Sequence, residues 1–343
     1  MLIAVIMNIH EEEGRKKSMI NFAVIGTNII TDRFLEAGSR IPGFCLKGVY
    51  SRSRERAEEY AGKHGAQLAF DSLEELAACG EIDAVYVASP NSLHARQSIL
   101  MMEAGKHVLC EKTIASNSKE FAKMRETAED NKVILLEAMR SVYSPGFAAI
   151  RESLDKIGPV RRASFQYCQY SRRYDNFKRG IIENAFRPEL SNGALMDIGV
   201  YCIHPMAALF GMPERILSSC LKLSNGVDGA GTAILEYPGM IGEVVYSKIT
   251  DSSVPSQIQG EGGTMIIDRI ADPQAVEIIY RDGEKESLSI PHTDNNMIYE
   301  TETFIKMINS GKQENPWSDA SQIELQIMDE IRRQQGITFP ADL

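Results

Sequence analysis

Asp197, Tyr201 and His204 set a carboxylate, a phenol and an imidazole four and then three residues apart. At about 3.6 residues per turn this spacing stacks the three on one helix face, where they could share or relay a proton. Asp197 would stand in the first turn, where the helix dipole favours negative charge. The same spacing also describes the half-buried face of an ordinary amphipathic helix, and the residues alone leave both readings open. Lys112 follows an apolar run ending at Cys110. The carboxyl end of a strand is where open α/β sheets take ligands. An ammonium there could hydrogen-bond a substrate oxygen and stabilise developing alkoxide character. A plain surface lysine is the alternative.

A second constellation lies nearer the N-terminus. The run Gly26-Thr27-Asn28-Ile29-Ile30-Thr31 follows an apolar stretch and precedes a helical one. A glycine-rich turn placed there lets the backbone approach a pyrophosphate at a helix N-terminus. Only the first glycine is present. Asn28 tolerates positive φ and is expected to stand in for the second, whereas Thr31 is expected to push the helix slightly off the strand. A plain strand-to-helix turn would read the same way. About 20 residues on, an NAD site usually offers an acid to the ribose 2′-hydroxyl. This chain instead reads Tyr50-Ser51-Arg52-Ser53-Arg54. A hydroxyl and a guanidinium suit a 2′-phosphate, so NADP is expected over NAD. Arg52 and Arg54 could equally be solvated residues opening the next helix. Further on, Asn91 is suited to cap a helix or to contact a ribose. His94 could be structural or lie near the reacting ring, and His107 is read as structural.

The elements that must position these groups follow from periodicity. Residues 20–25, 44–50, 82–88, 107–110 and 133–137 are short apolar runs that read as buried strands. Helical patterns at 31–38, 53–63, 92–104 and 119–130 alternate with them. This alternation predicts a doubly wound parallel sheet. After Pro145 the rhythm changes. Runs at 160–170, 215–223, 231–237, 241–250 and 265–268 succeed one another with few helices between, which predicts a mostly antiparallel sheet. One helix over 195–210 interrupts them, and helices at 298–310 and 318–334 close the chain. The expected division is 19–142 for the first domain and 143–343 for the second. Residues 1–18, with Glu11-Glu12-Glu13-Gly14-Arg15-Lys16-Lys17, look like a translated ribosome-binding site. They are expected to be a non-native or misassigned extension, with Met19 as the biological start.

Composition narrows the class of function. The 343 residues carry a formal charge of −10, which disfavours nucleic-acid and anionic-membrane partners. The six cysteines form no C-x-x-C pair, and no His, Asp or Glu spacing makes a metal site. Scattered thiols suit a reducing compartment, so the protein is expected to be cytoplasmic. The basic segment with Arg172, Arg173, Arg179 and Arg187 is read as solvated loop charge.

Three segments together resemble one family. They are Ala88-Ser-Pro-Asn-Ser-Leu-His94, Ala104-Gly-Lys-His-Val-Leu-Cys-Glu-Lys-Thr113 and Gly193-Ala-Leu-Met-Asp-Ile-Gly-Val-Tyr-Cys-Ile-His204. The chain from Met19 nearly to its C-terminus resembles the glucose–fructose oxidoreductase/inositol dehydrogenase/rhizopine-catabolism (Gfo/Idh/MocA) family. Asp-Ile-Gly-Val-Tyr201 is similar to its glucose–fructose oxidoreductase and dimeric dihydrodiol dehydrogenase branch.

The resemblance implies an N-terminal Rossmann domain and a C-terminal α/β domain with an open, mostly antiparallel sheet. It implies a nicotinamide cofactor, a sugar, polyol or diol substrate, and a dimer or tetramer formed through the outer face of that sheet. Under it, Gly26, Thr27, Asn28, Ile29, Ser51, Arg52, Ser89, Pro90, Asn91, His94, Glu111 and Lys112 are the expected cofactor contacts. Lys112, Asp197, Tyr201 and His204 are the expected catalytic set, with Lys112 and Tyr201 handling the oxygen and its proton. The chain departs from the family pattern in four places. Thr113 replaces a usual proline, Asn28 and Thr31 replace glycines, Val142 stands where many members have arginine, and Tyr201 occupies a site often held by histidine. A nicotinamide-binding sensor without turnover is the alternative function. Lys112, Asp197 and Tyr201 kept together favour the enzyme, because a pure binder needs no proton donor.

Overall fold

The computed structural model describes residues 19–311 and 315–343; the expectation for residues 1–18 lies outside that range. The first sheet contains β1 (Ile20–Ile25), β2 (Phe44–Tyr50), β3 (Leu68–Phe70), β4 (Ala84–Val87), β5 (His107–Glu111) and β6 (Leu135–Ala138). All pair in parallel, in the order 3-2-1-4-5-6. Side chains on a strand alternate between faces, so β1 sends Phe22 and Val24 one way and Ala23 and Ile25 the other. Helices cover both faces. On one lies α1 (Ile29–Ser39), whose Phe34 stacks on Tyr86 at 3.8 Å between centroids. On the other lie α3 (Leu73–Ala78), α4 (Asn91–Glu103) and α5 (Ser118–Asp130), contributing Leu76, Met101 and Phe121. The helix α2 (Arg54–His64) packs beside β2 and β3.

The second sheet has eight strands. They are β7 (Val160–Cys168), β8 (Arg215–Lys222), β9 (Asp228–Tyr237), β10 (Met240–Ser247), β11 (Ser256–Gly260), β12 (Gly263–Ile267), β13 (Val276–Tyr280) and β14 (Lys285–Ser287). Their order is 14-13-12-11-7-10-9-8, antiparallel except where β7 meets β10. This is the mostly antiparallel sheet that the sequence predicts. The strands β3, β11, β13 and β14 were not foreseen. β3 has only three residues, and β11 reads Ser-Gln-Ile-Gln-Gly with one apolar side chain, so neither carries a periodic signal.

The inner face of this sheet, with Phe165, Leu235, Val244 and Tyr246, closes on a helical spine. The spine begins as a π-helical turn, Leu195–Gly199, and continues as α8 (Val200–Phe210). The stretch from Pro188 to Phe210 is long and apolar enough to cross a bilayer, but most of it is buried in the protein. Two short helices, α6 (Pro145–Glu152) and α7 (Arg172–Lys178), flank the sheet, and α7 buries none of its residues.

The last two helices do not stay with the second sheet. In α9 (Met297–Ser310), Met297, Phe304 and Ile305 join the Phe22–Phe34 cluster of the first domain. The helix α10 (Ser318–Gln335) packs on α8 and β8 and sends Leu325 into the cluster that holds Phe121.

Candidate active site

The parallel register brings Ile25, Tyr50, Val87 and Cys110 to one edge of the first sheet. The chain leaves that edge through Gly26, Ser51, Ala88 and Lys112, the four places that the sequence marks. Gly26 has a φ of 114°, and a Cβ there would lie 2.5 Å from the Ala88 carbonyl oxygen, so only glycine passes.

Asn28 does not act as a second glycine. Its φ is −120°, and its Oδ1 accepts from the Ile30 and Thr31 amides, making it the N-cap of α1. Its Nδ2 donates to the Ala88 carbonyl at 2.8 Å. Thr31 does not push the helix away either. It is fully buried and its hydroxyl donates to the Gly26 carbonyl at 3.0 Å, tying helix to turn. Arg56, which no sequence motif singled out, donates to both Thr27 Oγ1 (2.7 Å) and Thr27 O (3.1 Å).

Arg54 pairs with Glu58 and Asp71, whereas Arg52 is exposed and makes no hydrogen bond or ion pair among the described residues. Ile29 is 76 % exposed at the first position of α1, a bare apolar side chain on the lip of the turn. A turn closed to any Cβ, a helix start beside it, an uncovered isoleucine and a free guanidinium fit a dinucleotide.

The loops after β4 and β5 are pinned together. The ring nitrogens of buried His94 lie 2.9 Å from Thr113 O and 2.8 Å from Ser89 O. Burial pushes this imidazole's pKa down, against the pull of the two carbonyls. The Ser89 hydroxyl donates to Gln97, and buried Glu111 accepts from Tyr86 Oη at 2.5 Å. Burial pushes the Glu111 carboxyl up. Asn91 does not cap α4, whose N-cap is Pro90; its Nδ2 reaches Ser191 O at 3.0 Å, joining the two domains. His107 Nδ1 accepts from the Ile134 amide.

Lys112 projects from the end of β5 onto the π-helical turn. Its Nζ donates to Asp197 O at 2.5 Å and Asp197 Oδ1 at 2.9 Å, while Thr113 Oγ1 donates to Met196 O at 2.7 Å. A second ammonium, Lys248 after β10, donates to Asp197 Oδ2 and lies 4.9 Å over the Phe186 ring. Burial alone would raise the Asp197 carboxyl, but Lys112 and Lys248 outweigh it and hold Asp197 far below the usual carboxylate range. Burial likewise opposes charge on Lys112. Asp197 leads the groups that overcome it, so the ammonium is held above its ordinary pKa.

The Tyr201 ring lies 5.0 Å from Lys112 Nζ and 5.3 Å from the Arg140 guanidinium, edge-on to Tyr167. Arg140 touches Asn296 at 3.5 Å, and its buried Nε has no partner among the described residues. Tyr201 leads the groups that hold Arg140 above its ordinary pKa. Two cations, Lys112 and Arg140, flank the Tyr201 ring, and positive charge placed so can stabilise an oxyanion. A cleft of about 550 Å³ opens beside Arg140 and Tyr167, lined further by Gln166, Gln169, Asp251 and Ser252.

His204 does not join this group. It is fully buried, with Nδ1 2.6 Å from Glu324 Oε2 and 3.6 Å from Glu137 Oε2. In the π-helical turn, Val200 N–H reaches back five residues to Leu195 O. The simple helical spacing of Asp197, Tyr201 and His204 therefore does not hold across it. Neither Lys248 nor Arg140 was foreseen. No spacing rule links 197 to 248, and Arg140 lies two residues before Val142, the position at which the family pattern has arginine.

Comparison with known proteins places the chain. A family model described as the oxidoreductase family with an NAD-binding Rossmann fold matches residues 20–139, and the GFO/IDH/MocA C-terminal domain matches 147–266. The chain is 52 % identical over 326 residues to scyllo-inositol 2-dehydrogenase (NADP(+)) IolU of Bacillus subtilis (strain 168), covering 94 % of this chain and 99 % of that one. It is 30 % identical to the trans-1,2-dihydrobenzene-1,2-diol dehydrogenase of Xenopus tropicalis, covering 91 % and 96 % respectively. The crystal structure of KijD10, a 3-ketoreductase from Actinomadura kijaniata in complex with NADP and TDP-benzene, superposes with a TM-score of 0.83 at 22 % identity, covering 92 % of this chain and 98 % of that one. At that identity the superposition speaks for the fold alone.

Proposed function

The chain belongs to the Gfo/Idh/MocA family of NAD(P)-dependent oxidoreductases, and we propose that it is an NADP-preferring dehydrogenase or reductase acting on a secondary alcohol of a ring polyol, sugar or vicinal diol. The observation that carries this reading is Lys112, locked by Asp197 beside the Tyr201 phenol on the same sheet edge as the Gly26 turn.

When bound, the nicotinamide takes or gives the hydride. Lys112 has three N–H donors and spends two on Asp197, leaving the third for the substrate oxygen. Asp197 keeps that ammonium charged and oriented, and Lys248 keeps Asp197 in place. Tyr201 gives or takes the hydroxyl proton, a role worth on the order of 10² to 10⁴ in rate. Uncharged hydrogen-bonding side chains in the cleft, Gln166, Gln169 and Ser252, suit a ligand rich in hydroxyls. Arg52 and Ser51 are the candidates for the 2′-phosphate, in keeping with the NADP(+) named for the Bacillus relative.

The outer faces of β8, β9 and β10 expose Leu217, Leu221, Ile234, Ile241 and Val245. We place a homodimer or homotetramer contact there; sedimentation that finds only monomers removes this part of the reading. The six free thiols accord with a cytoplasmic enzyme.

The test is a screen of inositols, sugars and diols for NADP⁺-linked absorbance change, with Lys112→Ala as control. The expected loss in kcat/KM is about 10³-fold. A variant as active as the parent, or a panel without turnover, would defeat the proposal.

A further inference from the structure

Beneath Lys112 and Tyr201 lies a polar knot that the proposed chemistry does not use. Glu137 ends β6, His204 sits three residues after Tyr201 on α8, and Glu324 comes from the middle of α10. Their exposures are 2 %, 0 % and 0 %, and a carboxylate oxygen or ring nitrogen from each lies within 4.8 Å of the others. Glu137 Oε1 also accepts from the Ile114 amide at 3.1 Å, two residues beyond Lys112. The knot therefore joins three pieces of chain: the loop carrying Lys112, the helix carrying Tyr201 and the C-terminal helix.

Two ionised carboxylates this close in a dry interior would repel and lose their hydration. Among the described residues, Glu137 Oε2, Glu324 Oε1 and His204 Nε2 have no hydrogen-bond partner. Carboxylate oxygens without donors are costly unless they carry protons themselves. The 2.6 Å contact between His204 Nδ1 and Glu324 Oε2 is a hydrogen bond that holds one proton between imidazole and carboxyl.

We propose that Glu137, His204 and Glu324 form a shared-proton clamp that fixes the lysine-bearing end of β5 against α8 and α10, making His204 a positioning residue that never touches substrate. This rests on the reading of Lys112 and Tyr201 as the catalytic pair.

The surroundings agree. Burial, then Glu324, pushes the Glu137 carboxyl up to about 8, burial pushes Glu324 well above the usual range, and burial pushes His204 down to about 4. The other groups that face the knot are Ser321 on α10, Glu300 on α9, Tyr143 beyond β6, the buried Cys110 thiol on β5, and Lys112, which acts on Glu324. At neutral pH Glu137 is a carboxyl and His204 a neutral imidazole. As pH rises through the Glu137 value, a carboxylate appears beside Glu324 and the clamp opens.

The test compares parent, Glu137→Gln and Glu324→Gln enzymes across pH. The amide of Glu137→Gln keeps an oxygen for the Ile114 N–H but cannot ionise. The parent should lose melting temperature as pH rises from about 4.5 to about 8 and lose kcat as pH rises through about 8, and both amide variants should flatten these slopes. His204→Ala should lower kcat about 10- to 100-fold while the KM for NADP stays within about twofold, since misplacement by about 1 Å can cost that much. Equal alkaline slopes in parent and variants would overturn the clamp, as would one equivalent of divalent metal retained through chelation. If Lys112→Ala stays active while the melting slopes flatten, the catalytic pair is wrong and the clamp stands.

Discussion

Two carboxyl sites, on the π-helical turn before α8 and beneath α8 itself, lie in opposite electrical states. Asp197 meets two ammoniums, from Lys112 and Lys248, and is held as a carboxylate. Glu137 meets an imidazole and a second carboxyl, and is held as an acid. Burial pushes both the same way, toward the neutral form. The partners decide the outcome: two fixed cations overcome desolvation, and a neutral histidine does not. The charged site stands beside the Tyr201 ring, where in the proposed function its charge acts on a reacting oxygen. The neutral site stands behind it, where its role is to hold.

Replacing each carboxyl by its amide is the most severe way to break this contrast. Asp197→Asn removes the one anion between two ammoniums. Activity should fall about 10³-fold, because Lys112 loses both its orientation and its counter-charge. Stability should fall by about 2 kcal/mol, less than for a fully buried pair because Asp197 keeps 31 % of its side chain exposed. Glu137→Gln should cost well under about 1 kcal/mol at neutral pH, since the group it replaces is already uncharged. Urea unfolding of the two variants checks this. Equal losses would mean that the two sites do not differ in charge.

The acid side of the stability curve sharpens the comparison next. His204 is neutral because burial pushes its imidazole down to about 4. The unfolded chain therefore binds this proton more readily than the folded one. Through His204 alone, stability drops as pH falls from about 6.5 to about 4, by an amount on the order of 2 kcal/mol, while the raised Glu137 carboxyl works in the opposite sense above about 4.5. The difference in melting temperature between His204→Gln and parent should therefore grow in the variant's favour as pH falls over this range. The Asp197 contribution also has the acid-side sign. It is present above the ordinary aspartate pKa and is lost only as pH falls below about 4, so the two remain separable.

How far the sequence carried differs between these sites for a physical reason. The strand–helix rhythm up to residue 138 and the positions of Gly26, Lys112, Asp197 and Tyr201 are local or motif-borne, and all four residues reach the one sheet edge or its facing turn. Lys248 reaches Asp197 only because β10 ends beside the π-helical turn, and Glu324 reaches His204 only because α10 folds back over α8. Those are tertiary coincidences between residues 51 and 120 positions apart, with no periodicity to reveal them. Asn28 keeps φ at −120°, so the expected stand-in for a glycine does not occur. Its use is the oxygen that caps a helix, not tolerance of positive φ. Arg56 looked like one more solvated helix charge, and only the packing of α2 beside the turn brings it onto Thr27.

Arg52 is the third case, a charge with neither burial nor partner among the described residues. Arg54 and Arg56 stand beside it in sequence, but one is engaged by Glu58 and Asp71 and the other by Thr27. A guanidinium left free at the end of β2 is available to a phosphate on the ribose. Because it is exposed, its contact should be worth only about 1.5 kcal/mol, or about tenfold in affinity. Arg52→Ala should therefore weaken NADPH binding about tenfold in a fluorescence titration and leave NADH nearly unchanged. Arg54→Ala, which breaks an existing pair, should move neither cofactor by more than about twofold. An equal loss of both cofactors in Arg52→Ala would place this arginine in the turn's architecture instead. Tighter NADH than NADPH binding by the parent enzyme would reverse the cofactor preference altogether.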